Sequence, residues 1–312
     1  MLNEFKALIS TSDTIIVFRH LDGDGDALGS QWAMYYYLKE KYPDKEVYAV
    51  GDDTDGYRDQ FEKPHDIADE KFKDALAVVV DTANIDRISD QRVKLCKTIV
   101  KIDHHLDVDA YGDLEFVFPK VSSAAEIVAN ILRVFEHDQP LSEKVAKCLY
   151  TGIISDTQMF SIAGVNEKTF KTVAYLSESN IDVGKICRSL NAIDLDLYKF
   201  RIAISNQIIF DDSGLAYLII SNKTLATYNV SHSMAKRNTD LMKNIKGIDI
   251  WVLFIEDKEK PNTYSASLRS NEIVINDTAQ AFGGGGHNFA SGIKGLDEEK
   301  LKELIKELKT KL

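Results

Sequence analysis

Four short, almost continuously apolar runs, Thr14–Arg19, Glu46–Val50, Ala75–Val80 and Thr98–Ile102, are separated by polar or helical stretches. Such runs are strands buried on both faces, and their spacing predicts a parallel sheet covered by helices. Between the first two, Ala27–Tyr42 reads as a helix closed by Pro43. Helical periodicity follows over Ala124–Phe135, over Leu141–Ile154, introduced by Pro140 with Ser142 as a cap, and over Glu167–Ser179. Residues 1–185 thus read as one α/β domain. Residues 186–205 contain neither Pro nor Gly and mix Leu, Ile and Tyr with charges, as a helical connector would. Strand patterns return in Gln207–Phe210, Leu215–Ile220, Ile248–Ile255 and Thr263–Leu268, with Asp212-Ser213-Gly214 as a hairpin turn. Residues 206–312 therefore read as a second, smaller α/β domain. It closes on Asp297–Leu312, an amphipathic helix with Leu301, Leu304, Ile305 and Leu308 on one face and its charges in solvent.

A chain of 312 residues has room for two such cores. With 44% hydrophobic and 28% charged residues it has the composition of a folded globular protein. No apolar run approaches the roughly 20 residues of a membrane span, and the expectation is a protein without membrane attachment. The net charge of −11 disfavours gripping long duplex nucleic acid by counterion release. Any phosphate-rich partner should be small and locally held. Cys96, Cys148 and Cys187 form neither a disulfide framework nor a CxxC metal site, which fits a reducing cytoplasm.

Three expected strands end in potential metal ligands: His20 followed by Asp22, Asp24 and Asp26, then Asp81, then Asp103-His104-His105. In an open parallel sheet all strand C-termini lie along one edge, so these sequence-distant groups should converge. Carboxylates packed together repel one another and climb in pKa unless a cation compensates them. Oxygen and imidazole donors without thiolate favour Mn²⁺ or Mg²⁺ over structural zinc, and a carboxylate such as Asp81 has two oxygens with which to bridge two ions. Simpler readings compete at single positions: Asp26 also suits the N-cap of the Ala27 helix. An EF-hand is excluded, because the sixth and twelfth positions are Ala27 and Ala33. Asp156, where an apolar helix ends in a small polar turn, is a further acidic candidate. His65, His137 and His232 lack partner clusters and read as surface or packing residues.

Near the C-terminus, Gly283-Gly284-Gly285-Gly286-His287 lies between apolar residues inside a domain, where four glycines are costly to order. Close approach of the backbone to an anion is the reading adopted. No Gly-Lys-Ser/Thr follows, so it is not a Walker loop. Arg269, at the end of an expected strand, offers a bidentate phosphate contact.

Taken together these residues resemble the DHH phosphoesterase superfamily, named for the triplet seen here as Asp103-His104-His105. The first family motif is similar to His20–Ser30, the second to Asp81 and the fourth to Asp156, while Arg269 and the glycine-histidine segment resemble the associated C-terminal domain. The likeness spans nearly the whole chain. It departs locally, with Gly23 where many relatives carry proline and Asp22 as an additional acid of open role.

The resemblance implies two divalent ions, with Mn²⁺ the expected metal: His20, Asp24 and Asp81 around one, Asp26, Asp81, His104 and Asp156 around the other. It implies that His105 faces the substrate phosphate and that Arg269, Gly284, Gly285, Gly286 and His287 bind substrate, in a cleft between the domains. The length leaves no room for the extra domains of large single-strand exonucleases, and family II pyrophosphatases lack the GGGGH segment. What remains resembles compact oligoribonucleases that act exonucleolytically on nanoRNA and linear dinucleotides, and also convert 3′-phosphoadenosine 5′-phosphate (pAp) to AMP. Phosphodiesterases of cyclic di-AMP or pApA are the alternative, and a non-catalytic nucleotide sensor a further one. Partners are then short single-stranded RNA, dinucleotides and nucleoside bisphosphates, with a homodimer as a compatible assembly.

Overall fold

The computed structural model describes residues 1–312 apart from positions 55, 56, 58, 107 and 163, and the chain divides into Met1–Ala192 and Ile193–Leu312. The division falls within the stretch read as a connector, which is helical and shared: one helix, Val183–Asn191, ends the first unit and another, Leu195–Ser205, begins the second.

In the first unit, α1 (Leu2–Thr11) leads to β1 (Thr14–Phe18), α2 (Gly25–Lys41), β2 (Glu46–Ala49), β3 (Leu76–Val80), β4 (Thr98–Asp103) and β5 (Leu114–Val117). These form a five-stranded, all-parallel sheet in the order β2-β1-β3-β4-β5. Period-two alternation sends Ile15, Val17, Val78, Val80, Val100 and Ile102 into one core with α2, α3 (Ala124–Phe135) and α4 (Glu143–Asp156). Ile16, Phe18, Ala77 and Val79 enter a smaller core with Phe72, Ile88 and Val93, where short 3₁₀ turns stand in for helices. Because both faces are covered, these strands read as unbroken apolar runs. The edge strand β5 does not: Leu114 and Phe116 are buried while Glu115 and Val117 are half-exposed, an alternation too short to read as a strand from sequence. The unit ends with α5 (Glu167–Ser177) and α6 (Val183–Asn191).

The second unit is a six-stranded mixed sheet in the order β10-β11-β9-β8-β7-β6. After α7 (Leu195–Ser205) come β6 (Ile209–Phe210), β7 (Leu215–Ile220), α8 (Asn222–Thr227), α9 (His232–Lys236), β8 (Ile250–Glu256), β9 (Thr263–Ser270), α10 (Asn276–Ala281), β10 (Gly285–His287), β11 (Ala290–Asp297) and α11 (Glu298–Lys309). Asp297 caps α11 by accepting the N–H of Lys300. Leu301, Leu304 and Leu308 are buried against the sheet as the helical spacing requires, each worth about 2 kcal/mol of burial. The glycine run differs from its expected loop form. Gly285 to His287 pair antiparallel with Gly292 to Ala290, and a Cβ on Gly284 or Gly286 would lie 2.2 or 2.5 Å from a carbonyl oxygen of β11. Two of the four glycines are therefore explained by strand packing. Among the described residues no helix is long and apolar enough to cross a membrane.

Candidate active site

Parallel pairing brings the ends of β1, β3 and β4 to one edge of the first sheet, and with them His20, Asp81 and Asp103-His104-His105. Asp81 is the centre. It is 2% exposed, with its backbone at φ 51°, a left-handed conformation uncommon outside glycine and asparagine. One carboxylate oxygen is 3.4 Å from His20 Nε2, the other 3.5 Å from His104 Nε2 and 3.6 Å from His105 Nδ1. That second oxygen is buried without a hydrogen bond among the described residues, an arrangement a cation would satisfy.

The two other carboxylates of the first motif take different local jobs. Asp24, rather than Asp26, caps α2, accepting the N–H groups of Asp26 and Ala27 at 2.9 and 3.1 Å. Asp26 is buried inside the first turn and reaches α3, accepting from Ala124 N at 2.7 Å and Ala125 N at 2.8 Å. A carboxylate held by the N-terminus of a helix cannot swing away from the site. Asp156 ends α4, its carboxylate 3.6 Å from His104 Nε2. It meets Asp26 because α2 and α4 cross at Gly29 and Gly152: a Cβ on Gly29 would lie 2.6 Å from Cys148 O and 2.9 Å from Gly152 N.

Three donor groups result: His20, Asp24 and Asp81; Asp26, His104 and Asp156; and Asp81, His104 and His105, with the donor atoms of each within 4.8 Å of one another. The donors fit a divalent cation. His20 Nδ1 lies 2.8 Å from Leu21 O, which can only accept, so Nδ1 carries a proton and Nε2, beside Asp81 and Asp24, is the nitrogen that a cation would take in place of its proton.

The charges are coupled as the crowding predicts. Burial works against a charged His20, yet the Asp81 carboxylate beside it pushes the imidazole up to about 9. Burial also opposes charge on His104, and Asp81 and Asp26 raise it to about 10. Burial, only partly offset by His104, pushes Asp156 up to about 6. Burial and the charges of Asp81 and Asp156 hold Asp26 well above the usual carboxylate range. Asp81 goes the other way: despite its burial, His104 and His20 keep it well below that range.

Asp103 of the triplet and several residues outside the motifs, Lys101, Tyr111 and Thr157, organise the site. Asp103 Oδ1 accepts from the N–H groups of His104 and His105 and from His105 Nδ1. Buried Lys101 donates to Ala83 O and Asp109 O, and Tyr111 donates to Thr82 O, tying the loop after β3 to the loop after β4. After Asp156, Gln158, Met159 and Phe160 all have positive φ, and Thr157 braces them by accepting from Phe160 N while donating to Ile153 O. His65 and His232 bond to neighbouring groups outside the cluster.

In the second unit, register places His287 opposite Ala290 and Ala290 opposite Arg269, so the three lie on one sheet face with only a methyl group between the imidazole and the guanidinium. Arg269 donates to Leu268 O, and no carboxylate among the described residues lies within ion-pair distance. Burial lowers its pKa, as for a cation short of an anion.

Residues 14–153 match the DHH family, N-terminal domain, and residues 214–312 the DHHA1 domain. The chain is 33% identical to the bifunctional oligoribonuclease and PAP phosphatase NrnA of Bacillus subtilis (strain 168), over 99% of this chain and 98% of the relative. A more distant relative, cyclic-di-AMP phosphodiesterase GdpP of Geobacillus thermodenitrificans, is 25% identical over 96% of this chain but only 48% of its own length. In fold the chain resembles an exopolyphosphatase-related protein from Bacteroides fragilis, with a TM-score of 0.88, 23% identity and coverage of 99% and 96% of the two chains. With strand-end histidines and aspartates gathered at one sheet edge and both domain patterns matched in order, the chain belongs to the DHH family of phosphoesterases and carries a DHHA1 domain.

Proposed function

We propose that this chain is a divalent-metal-dependent phosphoesterase that hydrolyses linear dinucleotides and other very short oligoribonucleotides to mononucleotides, and pAp to AMP. The observation that carries this reading is Asp81, whose two oxygens face His20 and His104 separately, so that one buried carboxylate serves two donor groups. His20, Asp24 and Asp81 would hold one ion, and Asp26, Asp81, His104 and Asp156 the other. The absence of thiolate donors favours Mn²⁺. When bound, such ions place positive charge beside the phosphate and lower the pKa of water from about 15.7 toward about 7.

The protein's own groups position the substrate. The Nδ1 contact to Asp103 orients the His105 ring, from which an Nε2–H would donate to a non-bridging phosphate oxygen, where charge grows during displacement. Arg269 and His287, with the backbone around Gly284, Gly285 and Gly286, take a substrate phosphate in the second unit. The acidic chain disfavours long polyanions, which supports short substrates. The Bacillus subtilis relative bears the same pair of activities in its name.

The test is Mn²⁺-dependent product release from pAp, pApA, cyclic di-AMP and labelled RNAs of about two to five nucleotides, with Asp81→Ala as control. Turnover of pAp and the short RNAs, lost in the variant, is expected. Preference for cyclic di-AMP would move the protein into second-messenger turnover, the activity named for the Geobacillus relative. Stoichiometric nucleotide binding without turnover would make it a sensor.

A further inference from the structure

We propose that buried Arg19 and half-buried Asp52 form a positioning pair that holds the loop His20–Asp24, and so sets how tightly His20, Asp24 and Asp81 take a divalent cation. The inference rests on the metal-dependent reading above. Arg19 follows β1 and is wholly buried, an expensive place for a charge. Its guanidinium is saturated: Nη1 donates to His20 O at 2.9 Å and Asp52 Oδ1 at 2.8 Å, Nη2 to the Asp52 carbonyl and to Thr54 Oγ1, and Nε to Gln31 Oε1 at 3.1 Å. Gln31, from α2, donates in turn to Val17 O and Val50 O, both at 2.7 Å, locking the ends of β1 and β2.

Asp52 extends the hold along the loop. Its Oδ2 accepts the N–H of Asp22 at 3.2 Å, and Ser89 donates to its Oδ1. The N–H of Leu21 donates to Arg87 O at 2.8 Å, and that of Ser89 to Arg19 O at 2.9 Å. Successive peptide groups at His20, Leu21 and Asp22 are thus each fastened, and Asp22 is held at φ 55°. Gly23 then passes directly over the guanidinium, where a Cβ would lie 2.7 Å from Arg19 Nη1. An apolar residue would fill the same space at less electrostatic cost, but could not direct hydrogen bonds at the ligand loop. Neither residue belongs to a donor group. Both act through the loop, as outer partners of metal ligands do.

The experiment is Mn²⁺ binding to the full chain, followed by the electron paramagnetic resonance of free Mn²⁺, for wild type, Arg19→Lys and Asp52→Asn. Arg19→Lys keeps the charge but loses the planar fork, and Asp52→Asn keeps the shape, so it serves if the first variant does not fold. Wild type should bind two ions; each folded variant should weaken one of them by about 10- to 100-fold, leave the other unchanged, and recover kcat at saturating Mn²⁺. Two unchanged affinities in the variants would overturn the positioning role, as would equal loss of both ions in step with the melting temperature. Failure of wild type to bind Mn²⁺ would instead overturn the metal-dependent reading itself.

Discussion

His105 donates its Nδ1 proton to Asp103 Oδ1 at 2.8 Å, so the first residue of the Asp-His-His triplet orients the third. Replacing Asp103 by Asn removes the charge and lets the ring turn or change tautomer. We expect Asp103→Asn to lower kcat by about 10²-fold, on the scale of a lost acid–base or oxyanion contact, with KM nearly unchanged. His105→Gln should cost a similar factor and the double variant little more, since the two act as one unit. Additive losses in single-turnover assays would separate them.

The crossing of α2 and α4 carries Asp26 and Asp156 to their shared position beside His104. Gly29→Ala inserts a methyl group where Cys148 O and Gly152 N already stand. It should destabilise the first unit by about 1–3 kcal/mol, the usual cost of overpacking, and weaken Mn²⁺ binding in parallel. Urea unfolding and a Mn²⁺ titration on the same variant check both.

The phosphate contact proposed for Arg269 sets function against stability. A half-buried cation without a carboxylate partner among the described residues costs desolvation energy that an apolar isostere avoids. Arg269→Met should leave the melting temperature unchanged or raised, while KM for pAp and pApA rises about 10- to 100-fold, the value of a charge-assisted contact. A lower melting temperature with unaltered KM would make Arg269 structural.

Proton linkage gives the metal-free protein a definite pH response. His20 and His104 are raised to about 9 and about 10 on folding, so their stabilisation is complete below about 6.5 and is lost as pH climbs through those values. Asp156, raised to about 6, adds destabilisation in the same direction between about 4 and 6. Stability without metal should fall from pH 6 to 10, whereas Mn²⁺ affinity should rise over that interval because the ligands must lose protons to bind. Chemical denaturation with and without Mn²⁺ across that range measures both slopes.

The legibility of the site followed from topology. His20, Asp81 and Asp103-His104-His105 could be expected together because each ends an apolar run and a parallel sheet aligns such ends. Period-two burial on two faces made β1 to β4 unmistakable, while β5 alternates too briefly and β10 and β11 are rich in glycine. The expected strand Gln207–Phe210 shortens to Ile209–Phe210 because Gln207 and Ile208 still donate to carbonyls of α7. The motif offers Asp26 as the cap of the second helix, but the packing of α3 clamps Asp26 and leaves the cap of α2 to Asp24.

The amino-acid sequence by itself determined the two α/β units, the strand-end ligand positions and the amphipathic closing helix, because hydrophobic periodicity and strand order are local and one-dimensional. Tertiary structure alone decided that Arg19 would meet Asp52, that Gly29 would meet Gly152, and that one oxygen of Asp81 would remain buried without a hydrogen bond among the described residues. Such relationships depend on which surfaces pack in three dimensions, and burial gives a hydrogen bond or a charge its strength only once that packing has removed the water.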